Sequence, residues 1–95
     1  MIYCVLFQDD DRNANMRQKQ MQAHLEFLHA HASHISAAGP LVDAATKAPA
    51  GGLWLVAADD DATVWSLVKD DPFWPTGLRK SVQVLEWKQV FPVKQ

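Results

Sequence analysis

The sequence predicts an α+β domain of order β-α-β-β-α-β. Apolar, β-branched runs occur at Ile2–Gln8 and Leu53–Ala58, and each is followed by three aspartates and then by a segment with helical spacing. The chain closes on a period-two stretch, Ser81–Val90. With 95 residues, 48% of them hydrophobic and 21% charged, the composition is that of a folded globular chain with one core, not a disordered one.

Ile2–Gln8 (IYCVLFQ) reads as a strand buried on both faces or nearly so. Asp9–Asn15 is polar and rich in capping residues. From about Ala14 to His34 the chain has good helix formers and no Gly or Pro, and Met21, Leu25, Leu28, Ala32 and Ile35 fall on one apolar stripe. Gly39-Pro40 breaks the pattern, and His34–Val42 holds a short strand. Asp43–Gly52, rich in Ala, Pro and Gly, reads as a mobile loop. Leu53–Ala58 is the third strand. Asp59–Asp61 caps a second helix that runs to Lys69, with Ala62, Trp65, Ser66 and Lys69 at helical spacing, and Pro72 ends it. Phe73–Leu78 is a turn, and Ser81–Val90 is a strand with mixed faces. The order is the split βαβ, or ferredoxin-like, pattern over a single domain, 1–95.

Two helices cover one face of such a sheet. The other face needs a partner, and a second copy of the same chain, sheet against sheet, is the expected cover; the subunit is read as half of a two-fold homodimer. A net charge of −2 and scattered basic residues argue against nucleic acid or an anionic membrane as partner. No apolar run approaches the roughly 20 residues of a membrane helix. Met1–Phe7 lacks a basic flank and meets aspartates, unlike a signal peptide. With Cys4 as the one cysteine, a reducing, cytoplasmic setting is expected.

Two residues stand out for chemistry. His24 lies about 60° around the helix from Met21, at the edge of the apolar stripe, where an imidazole can be half-buried and still reach a cavity. Asp71, with Asp70, stands at the carboxyl end of the second helix, where the helix dipole disfavours a carboxylate and favours a cationic partner such as a histidinium. Both have plain structural alternatives: a core-edge histidine bonded to a carbonyl, and an Asp-Pro turn. His31 and His34 are spaced to share an ion, but no ligand motif accompanies them, so no metal is expected; an acid–base pair of His24 and Asp71, were it to act, requires no cofactor. The aspartate runs lack the glycine and glutamate of a calcium loop and read as caps.

Several fragments resemble the YCII-related family when taken in order: the Met1–Phe7 strand, Ala23-His24-Leu25, Ala38-Gly39-Pro40, Asp71-Pro72-Phe73, Gly77-Leu78 and Val84–Lys88. The resemblance spans nearly the whole chain. It implies a dimeric α+β barrel of ferredoxin-like subunits and a His–Asp pair in a pocket, with His24 and Asp71 at the matching positions. Some members of that family are dehydrochlorinases of chlorinated hydroxyquinols. The chain departs from similar ones in its short, Ala-rich Asp43–Gly52 segment and in the bulky Trp74-Pro75. On this basis the chain is expected to be a small-molecule enzyme, a lyase or isomerase using His24 and Asp71 as an acid–base dyad, with Gly39, Pro40, Phe73 and Trp74 shaping a pocket for a small planar substrate. Two alternatives stand beside it: a non-catalytic ligand-binding or interaction module on the same barrel, and a haem-degrading or quinol monooxygenase of the cofactor-free kind.

Overall fold

Alternation along β1 (Ile2–Asp9) sends Tyr3, Val5 and Phe7 into the core and leaves Ile2, Cys4 and Leu6 half-buried on the opposite face of the sheet. The computed structural model describes residues 1–92; the last three positions of the single domain expected over 1–95 lie outside the described residues. After a 3-10 turn at Asp11–Asn13 the chain forms α1 (Asn15–Lys19) and α2 (Met21–Ala30), then β2 (Ile35–Val42) and β3 (Pro49–Ala57). A third helix, α3 (Asp61–Asp70), a 3-10 turn at Trp74–Thr76 and β4 (Arg79–Glu86) complete it.

The four strands form one antiparallel sheet in the order β2-β3-β1-β4. Each β-α-β step therefore skips a strand, which is the ferredoxin-like arrangement the sequence order implies. The core lies between the sheet and the helices. Tyr3, Val5 and Phe7 of β1 and Trp54 and Val56 of β3 pack there with Val64, Leu67 and Val68 of α3, while Phe27 and Leu28 of α2 pack against this group. The opposite face carries Cys4, Leu53, Leu55, Leu85 and Trp87, with the last two each 45% exposed.

Several expectations need correction. The helix expected over Ala14–His34 is broken at Gln20 (φ −104°, ψ 7°) and ends at Ala30. Its apolar stripe does not face the core as a unit: Leu25 is half exposed, and His24 is the buried residue of α2. In α3 the buried positions are Val64, Leu67 and Val68, whereas Ala62, Ser66 and Lys69 face outward. Asp43–Gly52 is a structured hairpin. Asp43 Oδ1 accepts the N–H groups of Ala45 and Thr46, the Asp43 N–H donates to the Ala48 carbonyl, and β3 starts at Pro49. The last strand runs over Arg79–Glu86, not to Val90, because its partner β1 runs out: the Trp87 N–H donates to Ile2 at the start of β1. The aspartate runs do cap. Asp60 Oδ1 accepts from the Thr63 N–H at 2.9 Å and opens α3, and Asp10 accepts from the Arg12 N–H and opens the first 3-10 turn.

Candidate active site

His24 sits in the second turn of α2, with its backbone N–H bonded to the Gln20 carbonyl, and its ring points inward. Asp71 is the residue at which α3 stops. Pro72 disfavours a helical conformation before it, and Asp71 turns extended (φ −62°, ψ 132°). That turn folds the carboxylate back over the following residues: Oδ1 accepts the Phe73 N–H at 3.2 Å. The same oxygen lies 2.8 Å from His24 Nδ1, and both side chains are buried. A carboxylate oxygen accepts, so Nδ1 carries the proton and donates.

Nδ1 is thereby occupied, and Nε2 makes no hydrogen bond among the described residues. The ring lies nearly parallel to Phe73 at 4.1 Å between centroids (17° between planes), with Trp54 at 6.4 Å. Beside it is a cavity of about 100 Å³. Its helical wall is Arg17, Met21, His24, Leu25 and Leu28; its sheet wall is Ala38, Gly39 and Pro40 of β2, Gly52 and Trp54 of β3, and Arg79 of β4. A small ring is about the largest ligand that such a volume takes without reaching outward. The wall is mostly apolar with three nitrogen-bearing side chains, a composition typical of small-molecule sites.

Charged groups ring the histidine. A bulge between Gln8 and Asp9 keeps Asp9 paired with Arg79 across β1 and β4. Asp9 Oδ1 accepts from Arg79 Nη1 at 3.1 Å, and its Oδ2 accepts from Arg17 Nη2. Arg79 Nη2 stands 3.8 Å from the second oxygen of Asp71. The Arg79 guanidinium also lies 4.0 Å over the Phe7 ring and 5.0 Å from Phe73. Burial pushes its pKa down, and Asp9 and Asp71 oppose that shift.

Of the residues expected at the site, His24 and Asp71 are together, Gly39 and Pro40 line the cavity, and Phe73 serves as the platform under the imidazole without lining the cavity. Trp74 does not line it; its side chain is exposed on the 3-10 turn. Sequence reasoning missed Asp9, Arg17 and Arg79. The available signal was the antiparallel pairing of the first and last strands, which brings the acid ending one to the base starting the other. His34 bonds the Ala57 carbonyl and His31 packs on Phe27; no cluster of three metal-ligating side chains occurs among the described residues.

The topology and the buried imidazole–carboxylate contact define a ferredoxin-like α+β protein with a small, mostly apolar cavity, edged by an imidazole and two guanidinium groups, at the seam of sheet and helices. The YCII-related domain matches residues 1–88, and the chain belongs to that family. A solved structure with the same fold is 5-chloro-2-hydroxyhydroquinone dehydrochlorinase (TftG) from Burkholderia phenoliruptrix AC1100, in complex with 2,5-dihydroxybenzoquinone. It is 28% identical, with a TM-score of 0.82 over 94% of this chain and 95% of that one. No curated protein sequence matches the chain. No helix among the described residues is long and apolar enough to cross a membrane.

Proposed function

We propose that the chain is a small-molecule enzyme in which His24 and Asp71 form an acid–base dyad acting on a planar, hydroxylated cyclic substrate, as a lyase or isomerase. The observation that carries this reading is the 2.8 Å contact between His24 Nδ1 and Asp71 Oδ1 at the wall of a ring-sized cavity. The dehydrochlorinase neighbour, whose complex holds a dihydroxylated quinone ring, supports the substrate class.

Asp71 fixes the tautomer and ring orientation of His24, so that Nε2 is the nitrogen offered to a ligand. Nε2 takes the proton of a ring hydroxyl, and the oxygen becomes a carbonyl as its electron pair moves into the ring. An isomerase returns a proton to a ring carbon. A dehydrochlorination returns that proton to the carbon that bears chlorine; Nε2 then takes the proton of a second, conjugated hydroxyl, whose oxygen becomes the second carbonyl as its electron pair shifts through the ring and the C–Cl pair leaves as chloride, so that one proton and one chloride, HCl, are lost. The electrons balance within the substrate. Phe73 keeps the imidazole in plane, and Gly39 and Pro40 shape the far wall.

The working unit in this reading is a homodimer with the open sheet faces together. Leu53, Leu55, Leu85 and Trp87 give that face its apolar character, and the helices cover only the other side. A single peak of dimer mass in light scattering at micromolar concentration is the expected result, and a monomer contradicts it. A half-buried lone Cys4 fits a reducing, cytoplasmic setting.

The test is chloride release and quinone absorbance with chlorinated hydroxyquinols, run on the full chain. His24→Ala and Asp71→Asn are expected to stay folded and to lose about 10²–10⁴-fold in turnover. If both instead cost only stability, and the unsubstituted chain turns over none of these substrates, the pair is a tie between α2 and the end of α3. The protein is then a binding module.

A further inference from the structure

We propose that the cavity binds its ligand as an oxyanion attached to a planar ring, with Arg79 and Arg17 as the cationic wall that receives the charged oxygen. This rests on the small-molecule reading of the same cavity and names the ionic form and the residues that select it.

Arg79 is the informative residue. Its side chain is 4% exposed, yet it makes one hydrogen bond among the described residues, Nη1 to Asp9. A guanidinium carries five N–H donors in a rigid fork. Nη2 is too far from Asp71, at 3.8 Å, to count as bonded, and Nε is sealed from solvent with no partner. A buried cation with most of its donors unspent is costly as a purely structural element, because Asp9, Asp71 and the aromatic rings around it offset its desolvation only in part. The same guanidinium lines the cavity. A group that enters the cavity with a negative oxygen is the partner that its geometry lacks, and a planar fork suits an oxygen on a planar, conjugated ring.

Arg17 strengthens the case from the other side. It also lines the cavity, with its side chain 25% exposed, and its guanidinium lies 5.5 Å from the Phe73 ring. Asp9 holds both arginines, one on each carboxylate oxygen, so their spacing is set by the sheet edge. Two arginines against Asp9 and Asp71 leave the site neutral as built. Once Nε2 of His24 is protonated the site is positive by one, a charge that the bound oxyanion offsets. Gly52 lies at the same wall, where a Cβ would stand in ordinary contact with Arg79 Nη1 at 3.5 Å and the Gly39 carbonyl at 3.4 Å.

The experiment is calorimetric titration of the full chain with two quinones. 2,5-Dihydroxybenzoquinone is a vinylogous acid that is already ionised at neutral pH, and 2,5-dimethoxybenzoquinone has the same ring with no ionisable hydroxyl. The ionised ring is expected to bind at least roughly tenfold more tightly. Arg17→Met, at a partly exposed position, and Arg79→Lys, which keeps the charge and loses the fork, each lose most of that preference while the neutral quinone binds as before. Thermal melts confirm that both variants are folded. Equal affinity for the two quinones, no binding of either, or an undiminished anion preference in both variants overturns the proposal. Failure of the acid–base reading shows elsewhere: His24→Asn then releases chloride from a chlorinated hydroxyquinol as fast as the unsubstituted chain, whatever the arginine variants do.

Discussion

Removing the contact between His24 and Asp71 has a cost that can be worked out and isolated. The bond is 2.8 Å long, both side chains are buried, and the acceptor is a carboxylate. A charge-assisted hydrogen bond of this kind contributes about 1.5–3 kcal/mol. Asp71→Ala also strands the Phe73 N–H, which Oδ1 accepts at 3.2 Å, so that substitution is expected to cost about 3 kcal/mol. His24→Ala removes a ring stacked at 4.1 Å on Phe73 and leaves a small void, again about 3 kcal/mol. For a chain of this length that corresponds to a fall in Tm of roughly 12–24 °C per variant. The double variant separates the bond from the packing. It is expected to cost about 2 kcal/mol less than the sum of the two singles, because the bond can be lost only once. Urea unfolding at one fixed protein concentration reads this directly, since any self-association makes stability concentration-dependent. Additivity within about 0.5 kcal/mol shows that the two groups are not coupled in solution and refutes the pairing.

Two further outcomes follow from local geometry. Gly51 has φ +94°, and a Cβ there sits 1.9 Å from the Phe7 carbonyl oxygen at the head of the β1–β3 ladder. Gly51→Ala is therefore expected to destabilise by more than about 2 kcal/mol in urea unfolding, whereas Gly39→Ala, with nothing within 4 Å, leaves the midpoint nearly unchanged. The Arg12 guanidinium and backbone N–H hold the Asp10 carboxyl down at about 2, against an ordinary 3.8. A depressed carboxyl contributes stability that is complete above the ordinary value and is lost as pH falls toward 2. Carboxyl carbon shifts are expected to place the Asp10 midpoint near 2, and Arg12→Ala to move it part of the way back toward 3.8, since the backbone bond remains. An unmoved midpoint contradicts that cause.

The strand order was legible because the Ile2–Gln8 and Leu53–Ala58 runs and the aspartate caps are local signals, and the observed β1, β3 and α3 follow them. The meeting of His24 with Asp71 was foreseeable from a helix-edge imidazole and a carboxylate at the wrong end of a helix dipole, together with the family resemblance. What the chain hides are facts of tertiary pairing. Nothing at Gln20, neither Gly nor Pro, marks the break between α1 and α2. The extent of β4 is set by where β1 ends, a property of another segment. Asp43–Gly52 looks like a loose loop by composition, yet one Asx turn and the Gly51 backbone make it a hairpin. Asp9 and Arg79 lie 70 positions apart and meet only through the register of β1 with β4.

The most direct test is the tautomer of His24, read from imidazole ¹⁵N shifts in mildly alkaline solution with and without 2,5-dihydroxybenzoquinone. In free protein the proton belongs on Nδ1, facing Asp71, with Nε2 bare; this is the less common form of a neutral histidine in water. Adding the quinone anion is expected to draw a proton onto Nε2. A free-protein spectrum with Nε2 protonated and Nδ1 bare, or an imidazole that ignores the ligand, contradicts the proposed role of this residue as the proton acceptor.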